Sequence, residues 1–272
     1  MNAPPNDWPR HRAALIIAHP GHELRVHGWL ERAKPLAFVL TDGSGGAAEG
    51  RIGSTAKLFD RAGARRGSVF GRFTDRQLYQ HVMDGRHESF TALADEIAHE
   101  FAAAEIEYVV GDAVEGYNPS HDICRMVIGA ALAKLRLATG RAPLNYDFLL
   151  TGRPDDCPEI LRSGAIHIVL DDAALQRKLA AARVYTEIAH EFEVALAQAG
   201  LEAFRHEILR PAGDFSGFDG FGARRPYYET HGENMVAAGR YRDVLRWEKH
   251  MKPLAEALRV HAMIEDSKLQ IP

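Results

Sequence analysis

The chain has 272 residues, of which 46% are hydrophobic and 26% charged, a composition typical of a globular protein with a sizeable core. Its formal net charge is −4 and it has no Lys- or Arg-rich block, which argues against a nucleic-acid partner. It has no run near the ~18 apolar residues of a membrane span, no apolar signal-peptide core, and only two cysteines. We therefore expect a cytoplasmic protein without a membrane span. The sequence is compatible with a monomer or a homo-oligomer.

The first predicted unit is a strand, a helix and a second strand. Residues 1–12 contain three prolines and are predicted to form a loose N-terminal arm. The apolar run Ala13–Ala18 predicts a buried strand, followed by a helix over about 22–32 and a strand over 36–40. Such a βαβ unit has parallel strands and a right-handed crossover.

Later elements follow the same alternation. We predict helices over 54–64, 88–104, 121–137 and 173–198, a helical turn over 76–80, strands over 68–70, 107–111, 148–150, 166–170 and 204–209, and a mainly helical region over 232–266. Residues 211–231 show little periodicity and predict a long loop that covers a substrate. No repeat or linker is visible, so residues 13–272 are predicted to form a single α/β domain with a mostly parallel sheet and a helical C-terminal extension.

A glycine-rich segment, Thr41-Asp-Gly-Ser-Gly-Gly46, follows the second strand. It matches neither the dinucleotide-binding glycine fingerprint nor the P-loop pattern. We interpret it as an active-site loop, and a nucleotide-binding α/β protein is the third-ranked alternative.

Three histidines follow strands that belong to one predicted sheet: His19 and His22 after the first strand, and His121 after a later one. Ligands bind at the carboxyl ends of strands in open α/β sheets, and a catalytic zinc takes three protein ligands and one water. The pattern therefore indicates a site for zinc or another divalent metal, although ordinary loop histidines remain an alternative. The acid/base candidates nearby are Glu23, Asp42, Asp112, Glu115 and Asp122, each of which could also cap a helix or face solvent.

Three motifs in order resemble one family. The first strand ends in His-Pro-Gly-His-Glu over 19–23, the second in Leu-Thr-Asp-Gly over 40–43, and Asn-Pro-Ser-His over 118–121 opens a later helix. Over residues 13 to about 180, this order and spacing resembles the PIG-L/LmbE-like deacetylases. These zinc-dependent enzymes have a Rossmann-like three-layer fold and remove N-acetyl groups from amino sugars. The resemblance implies that fold, zinc, and a small-molecule sugar or sugar-conjugate substrate.

The motifs of this chain depart from the family pattern at identifiable positions. The family's first strand ends in His-Pro-Asp-Asp-Glu, where the His and the second Asp bind zinc and the first Asp is the general base. Here His19 matches the first ligand, His22 stands at the second, and Gly21 stands at the base. The family's His-Pro-Asp-His reads Asn-Pro-Ser-His here, so that His121 matches the third ligand and Asn118 replaces a histidine that stabilises the oxyanion or acts as an acid.

Glycine cannot accept a proton, so another group must act as base if the protein is an enzyme. The nearest candidates are Glu23 and Asp122, or His22 acting as base and not as ligand. Asn118 or His231 would stabilise the tetrahedral intermediate. Two alternatives remain: a catalytically silent member that binds a sugar, and a different reaction in the same pocket.

The predicted substrate-binding residues lie on two segments. Residues 224–231, Arg-Arg-Pro-Tyr-Tyr-Glu-Thr-His, cluster cations and aromatic rings in a stretch predicted to be non-helical. We expect Arg51, Arg224 or Arg225 to bind an anionic group, and Asp42 and Tyr117 to contact the substrate. A surface loop that merely packs on the domain is the alternative.

Overall fold

The structure is a computed structural model that describes residues 8–45, 49–222 and 224–264. Its strands form a seven-stranded sheet and are β1 (Ala13–Ile17), β2 (Leu36–Thr41), β3 (Arg65–Phe73), β4 (Tyr108–Asp112), β5 (Leu144–Phe148), β6 (Ile166–Val169) and β7 (His206–Pro211). The strand order is β3-β2-β1-β4-β5-β7-β6. The first five strands in this order are parallel, whereas β7 runs antiparallel to both β5 and β6.

Helices cover both faces of the sheet, so the mostly parallel three-layer α/β fold is confirmed. They are α1 (His27–Ala33), α2 (Ile52–Ala62), α3 (Asp75–Met83), α4 (Glu88–Ala103), α5 (Pro119–Thr139), α6 (Glu159–Arg162), α7 (Asp172–Val184), α8 (Ala189–Ala199), α9 (Tyr227–Ala237) and α10 (Lys252–Ala262). Short 3₁₀ helices lie at Trp8–Arg10, His22–Val26, Thr186–Ile188 and Leu201–Arg205, and a π-helical turn precedes α10 at Trp247–Met251.

The two faces of β1 show why the strand is apolar throughout. Ala14 and Ile16 pack in one core with α4, α5 and α10, while Leu15 and Ile17 pack in the other with α1, α2 and α7. A parallel strand that is covered on both faces has no solvent side, so its residues form a continuous hydrophobic run. Strand β1 lies inside the sheet between β2 and β4, so its carboxyl end, which leads to His19, lies beside that of β4.

Helix α5 brings His121 to the same edge. Asn118 is its N-cap: the side-chain Oδ1 accepts a hydrogen bond from the backbone N–H of Ser120 at 2.9 Å. Pro119 occupies the first turn, where its missing N–H costs nothing. The helix ends at Gly140, whose φ of 69° suits a left-handed C-cap.

A buried ion pair anchors α1, which has no side-chain cap of its own. The carboxylate of Glu207 accepts hydrogen bonds from the backbone N–H groups of Gly28 and Trp29, at 2.9 and 2.8 Å. The Nζ of Lys178 lies 2.9 Å from the same carboxylate. Strand β7 and helix α7 therefore supply the cap of α1 from outside its own sequence.

Several element boundaries differ from the sequence predictions. The predicted helix over 173–198 is two helices, α7 and α8, because Tyr185 leaves the helical conformation with ψ near 75° and buries its ring in the core of α1, α2 and α7. The fifth strand covers 144–148 and not 148–150, and β3 extends to Phe73, well past the predicted residue 70. The predicted turn over 76–80 is the full helix α3, which Thr74 and Gln77 start with a reciprocal capping box.

The N-terminal arm and the predicted loop also differ from the sequence predictions. Within the predicted arm, Trp8 to Arg12 is attached to the domain: the N–H of Arg12 donates to Glu107 at 2.7 Å and His11 Nδ1 lies 3.1 Å from that carboxylate. Residues 1–7 and 265–266 lie outside the described residues. The prediction that 224–231 is non-helical holds for 224–226 and is wrong from Tyr227 onward, where α9 begins. Within the described ranges, none of the helices has the length and apolarity needed to cross a membrane.

Candidate active site

The three predicted histidines meet at the carboxyl edge of β1 and β4. The ring centroids of His19 and His22 are 5.3 Å apart, those of His19 and His121 are 5.4 Å apart, and those of His22 and His121 are 4.7 Å apart. All three pairs pack edge to face. The fold thus brings together residues that are about 100 positions apart in the chain, as the topology of a parallel sheet predicts.

A hydroxyl group fixes the tautomer of His19. The hydroxyl of Thr41 donates to the carbonyl oxygen of Ala18 at 3.0 Å, so its oxygen must accept the hydrogen bond that joins it to His19 Nδ1 at 2.8 Å. The proton therefore sits on Nδ1 and the lone pair sits on Nε2, which is buried and has no hydrogen-bond partner among the described residues. The carboxylate of Asp75 also approaches Nδ1, at 2.9 Å, but outside hydrogen-bonding geometry.

Asp112 holds His22 in the same manner. Its Oδ2 lies 2.9 Å from His22 Nδ1 and accepts the backbone N–H of Ala18 at 2.8 Å. An acceptor at Nδ1 leaves the Nε2 lone pair of His22 available. Burial raises the pKa of Asp112 to about 6, against the opposing charge of His121.

Burial favours the neutral form of His22 and of His121. It lowers the pKa of His22 well below the ordinary value, and the nearby charges of His19 and Arg51 lower it further. Burial and the charge of His22 likewise lower the pKa of His121, whose Nδ1 is buried without a partner within the described part of the chain. Neutral imidazole is the form that binds a metal ion.

In residue type and ring spacing, these side chains suit a metal ion. Three imidazole nitrogens that bind a tetrahedral zinc at about 2.0–2.1 Å hold their ring centroids roughly 5 Å apart, close to the spacing found here. The unpartnered nitrogens of His19 and His121 provide lone pairs, and the carboxylates of Asp75 and Asp112 stand behind the rings as outer ligand partners usually do. In the present ring orientations, however, no group of three His, Cys, Asp or Glu side chains in residues 8–45, 49–222 and 224–264 is positioned to hold a metal ion.

The carboxylate of Glu23 closes the loop over residues 18–22, which we name the histidine loop, and both of its oxygens accept hydrogen bonds. Its Oε2 accepts the backbone N–H of Gly21 and its Oε1 accepts the hydroxyl of Thr55, both at 2.7 Å. Burial raises the pKa of Glu23 to about 7, partly opposed by the hydrogen bond from Thr55. Both oxygens of this predicted base therefore already have partners.

Asp122, the other predicted base, keeps one oxygen unpaired. Its Oδ1 accepts the backbone N–H groups of Glu115 and Gly116 at 3.1 and 3.3 Å. Its Oδ2 is buried without a partner among the described residues. Burial raises the pKa of Asp122 to about 7, partly opposed by these backbone hydrogen bonds.

The side-chain oxygen of Asn118 accepts two hydrogen bonds within the protein. Besides capping α5, Oδ1 accepts the hydroxyl of Tyr79 at 3.0 Å. This leaves the side-chain NH₂ as the donor for the predicted oxyanion role. Glu115 is structural in its contacts, since its carboxylate accepts the N–H and hydroxyl of Thr151.

Asp42 and Arg51 shape the loops around the histidines. The carboxylate of Asp42 accepts the N–H of Ser44 at 2.9 Å, which forms a local turn in the glycine-rich segment. The guanidinium of Arg51 donates from Nε to the carbonyl oxygen of Pro20 at 3.0 Å. Residues 46–48 of this segment lie outside the described residues.

An exposed group of aromatic side chains adjoins the helix that carries His121. The rings of Tyr117 and Tyr227 stack nearly parallel, 5.1 Å apart with an interplanar angle of 4°, and are 50% and 52% exposed. His231 lies 5.9 Å from Tyr227 and 6.3 Å from Tyr241. We name Tyr117, Tyr227, His231 and Tyr241 the aromatic shelf, and the shelf is where the structure places the predicted residues Tyr117 and His231.

The two arginines of the segment before α9 have protein partners. Arg224 donates from Nη2 to the carbonyl oxygen of Glu115 at 3.2 Å, and its guanidinium lies 5.8 Å from the ring centroid of Phe221. Arg225 is exposed and forms ion pairs with Glu229 and Glu233. Both arginines thus help to attach the start of α9.

Sequence reasoning missed Asp75. Burial works to raise its pKa, but the imidazole of His19 beside it and the hydroxyl of Thr41 outweigh burial, so the pKa of Asp75 lies below its usual value. The backbone N–H of Gly45 also donates to this carboxylate. Asp75 comes shortly after the end of a strand, as His19 does, and this position could have marked it as a site residue. The predicted strand ended at residue 70, however, so Asp75 was not recognised as following a strand end.

Gly21 occupies a position that no side chain could take without strain. Its φ is +105°, and a Cβ built there would lie 2.8 Å from Cδ1 of Ile188. The backbone conformation and the neighbouring Ile188 therefore both favour glycine over aspartate at this position.

The chain is similar in fold to solved deacetylase structures. One, the antimicrobial A40926 pseudoaglycone deacetylase, gives a TM-score of 0.51 at 16% identity, covering 74% of this chain and 97% of that one. Another, a triple mutant of a deacetylase involved in teicoplanin biosynthesis, gives 0.48 at 16% identity over the same shares. No protein-family model and no curated protein matches the sequence.

Proposed function

We propose that this protein is a metal-dependent hydrolase that removes an acyl group, acetyl in the simplest case, from an N-acylated amino sugar or sugar conjugate. The observation that carries the proposal is the meeting of His19, His22 and His121 at the carboxyl edge of the sheet, with Asp75 and Asp112 against the first two rings. The fold shared with a pseudoaglycone deacetylase supports the same chemistry.

His19, His22 and His121 would hold the metal, which we take to be zinc or another divalent cation. When bound, such an ion supplies Lewis acidity and lowers the pKa of its water toward ~7. Thr41 and Asp112 hold the Nδ1 protons of the first two rings and so direct the Nε2 lone pairs outward. Rotation of the rings from their edge-to-face packing would complete the set.

Asp122 is the better of the two proposed bases. Its Oδ2 has no partner within the described residues, whereas both oxygens of Glu23 accept hydrogen bonds. A pKa raised to about 7 also suits a group that takes up and returns a proton near neutral pH. Glu23 would instead hold the histidine loop through the N–H of Gly21.

The remaining polar groups would bind the acyl oxygen and the sugar. The NH₂ of Asn118 would donate to the developing oxyanion, with His231 as the other candidate. The aromatic shelf offers flat, half-exposed faces on which a sugar or an apolar aglycone would stack. Arg51 and Asp42 border the histidine loop, where they would contact substrate hydroxyl or anionic groups.

The test is hydrolysis of a panel of N-acetylated amino sugars and their lipid and peptide conjugates. We expect activity in the wild type and in His99→Ala, which removes an exposed histidine from α4. We expect none in the triple variant His19→Ala/His22→Ala/His121→Ala. Full activity in the triple variant would contradict the proposal.

A second candidate is a catalytically silent protein that binds a sugar or sugar conjugate. The positive φ of Gly21 and its contact with Ile188 favour it, because a side chain at the position of the family's base would be strained and would clash. Saturable binding of an N-acetyl sugar without hydrolysis, in protein that carries metal, would select this candidate.

A further inference from the structure

A cavity with a volume of about 200 Å³ lies away from the histidines, between α1, α2 and α7. Part of its lining is apolar: Leu58 and Ala62 come from α2, and Ala181 and Val184 come from α7. Such a surface would receive a short hydrocarbon group rather than a sugar.

The polar part of the lining is cationic. Lys57 and Arg61 lie one turn apart on α2, and neither forms an ion pair within the described part of the chain. Glu31 also lines the cavity, but its carboxylate is taken up by Arg177, whose Nε and Nη2 both donate to it at 2.9 Å. The two unpaired cations are therefore the charges available to a ligand.

A buried ring nitrogen points to the same conclusion independently. His27 lines the cavity, is only 6% exposed, and its Nδ1 has no hydrogen-bond partner among the described residues. Buried polar atoms normally have partners, and an orphaned one in the wall of a cavity indicates a missing polar group. An anionic head group held by the cations of α2 would provide it once the imidazole turns toward the cavity.

We propose that this cavity binds a small amphiphilic carboxylate, an aliphatic monocarboxylate whose head group meets Lys57, Arg61 and His27 and whose chain lies on the apolar lining. Such a ligand uses the cationic and the apolar parts together. A simple inorganic anion would leave the apolar lining exposed, and a neutral lipid would leave the cations unpaired.

Hydrogen bonds join this cavity to the histidine loop. Tyr185 lines the cavity, and its hydroxyl lies 2.7 Å from Oγ1 of Thr55. The hydroxyl of Thr55 donates to Glu23, and the hydroxyl of Tyr185, besides contacting Thr55, donates to the carbonyl oxygen of Arg51 at 3.4 Å. Glu23 in turn accepts the N–H of Gly21, directly before His22. A carboxylate in the cavity is therefore connected to the histidine loop by a chain of hydrogen bonds through Tyr185, Thr55, Glu23 and Gly21.

The binding test is calorimetric titration of the full-length protein with sodium hexanoate. Hexylamine, 1-hexanol and inorganic phosphate serve as cationic, neutral and chain-free controls. We expect saturable hexanoate binding that Lys57→Ala/Arg61→Ala and His27→Phe each weaken at least tenfold. Arg32→Ala/Arg65→Ala, which removes two exposed cations outside the cavity, should leave it unchanged. Because Lys57 and Arg61 are exposed, their variant should fold normally, as circular dichroism would verify.

Absence of saturable binding would overturn the proposal, as would equal binding of hexylamine, 1-hexanol or phosphate, or equal weakening in the control variant. The link to the histidine loop is read from the imidazole NMR signals of His22. Hexanoate should shift them in the wild type and not in Tyr185→Phe, which keeps the ring and removes only the hydroxyl. Binding without such a shift, or the same shift in Tyr185→Phe, would refute the link. Neither measurement depends on catalytic activity.

Discussion

Gly21→Ala should destabilise the protein, although it adds one methyl group. The backbone at Gly21 has φ +105°, a conformation that costs a residue with a Cβ about 1–3 kcal/mol. The new Cβ would also lie 2.8 Å from Cδ1 of Ile188, so that side chain must move from its preferred rotamer for about 0.5–1.5 kcal/mol. We expect a total loss of about 1.5–4.5 kcal/mol in the free energy of unfolding.

Urea denaturation would measure this loss as a lower midpoint with an unchanged m-value. The matched control is Gly53→Ala in α2, where a Cβ meets nothing within 4 Å and where alanine favours the helix. In an Ile188→Ala background, Gly21→Ala should cost about 1 kcal/mol less, because the contact is relieved while the backbone cost remains. A Gly21→Ala protein as stable as the Gly53→Ala protein would refute this reasoning.

The same costs apply to a variant that introduces at position 21 the aspartate found in the PIG-L/LmbE-like deacetylases. Gly21→Asp would add a carboxylate near the histidines, but with the same backbone cost and the same contact with Ile188. Gly21→Asp/Ile188→Ala is therefore the better variant in which to look for a gain of hydrolysis.

Three further predictions follow from buried charges. Because burial raises the pKa of Asp122 to about 7, the free energy of unfolding of the wild type should fall by up to about 4 kcal/mol as pH rises from about 4 to 7. Asp122→Asn should lack this decrease, which urea denaturation at several pH values would measure. Equal pH dependence in both proteins would contradict it. Lys178→Met should lower the free energy of unfolding by about 3–5 kcal/mol, because it leaves Glu207 charged and buried without its partner. Lys178→Met/Glu207→Gln should recover part of this loss, and simple addition of the two single effects would refute the pairing. Asp75→Asn should weaken zinc affinity about 10–100-fold in competition with a chelating dye, whereas Asp84→Asn at the other end of α3 should not; equal affinities would remove Asp75 from the metal's surroundings.

The centre of the fold could be predicted from local patterns. The apolar run of β1, the following helix and the apolar run of β2 specify a βαβ unit, and the structure pairs β1 with β2 in parallel. The same logic placed His19 and His121 together, because β1 and β4 are neighbouring parallel strands. Short connections and strong periodicity carry this information within the sequence itself.

Other features depend on contacts that no local pattern contains. The helix predicted over 173–198 has continuous helical periodicity, yet it breaks at Tyr185, whose hydroxyl bonds to Thr55, 130 positions away in the chain. Strand β7 pairs antiparallel with β5 and β6, which periodicity does not distinguish from parallel pairing.

The candidate site shows the same division. The histidines were predictable from strand ends and from the family resemblance, but Asp75 was not, because exposed and glycine residues in β3 hid the true end of that strand. The role of Gly21 as more than a lost carboxylate also required the structure, since neither its φ nor the position of Ile188 can be read from the sequence.

The central claim is that the three histidines hold a metal ion, and its most direct test is elemental analysis of the purified full-length protein. Wild type and His99→Ala should carry about one zinc or other divalent ion per chain, and His19→Ala should lose it. No metal in the wild type, even after incubation with zinc, or equal metal in wild type and His19→Ala, would contradict the account.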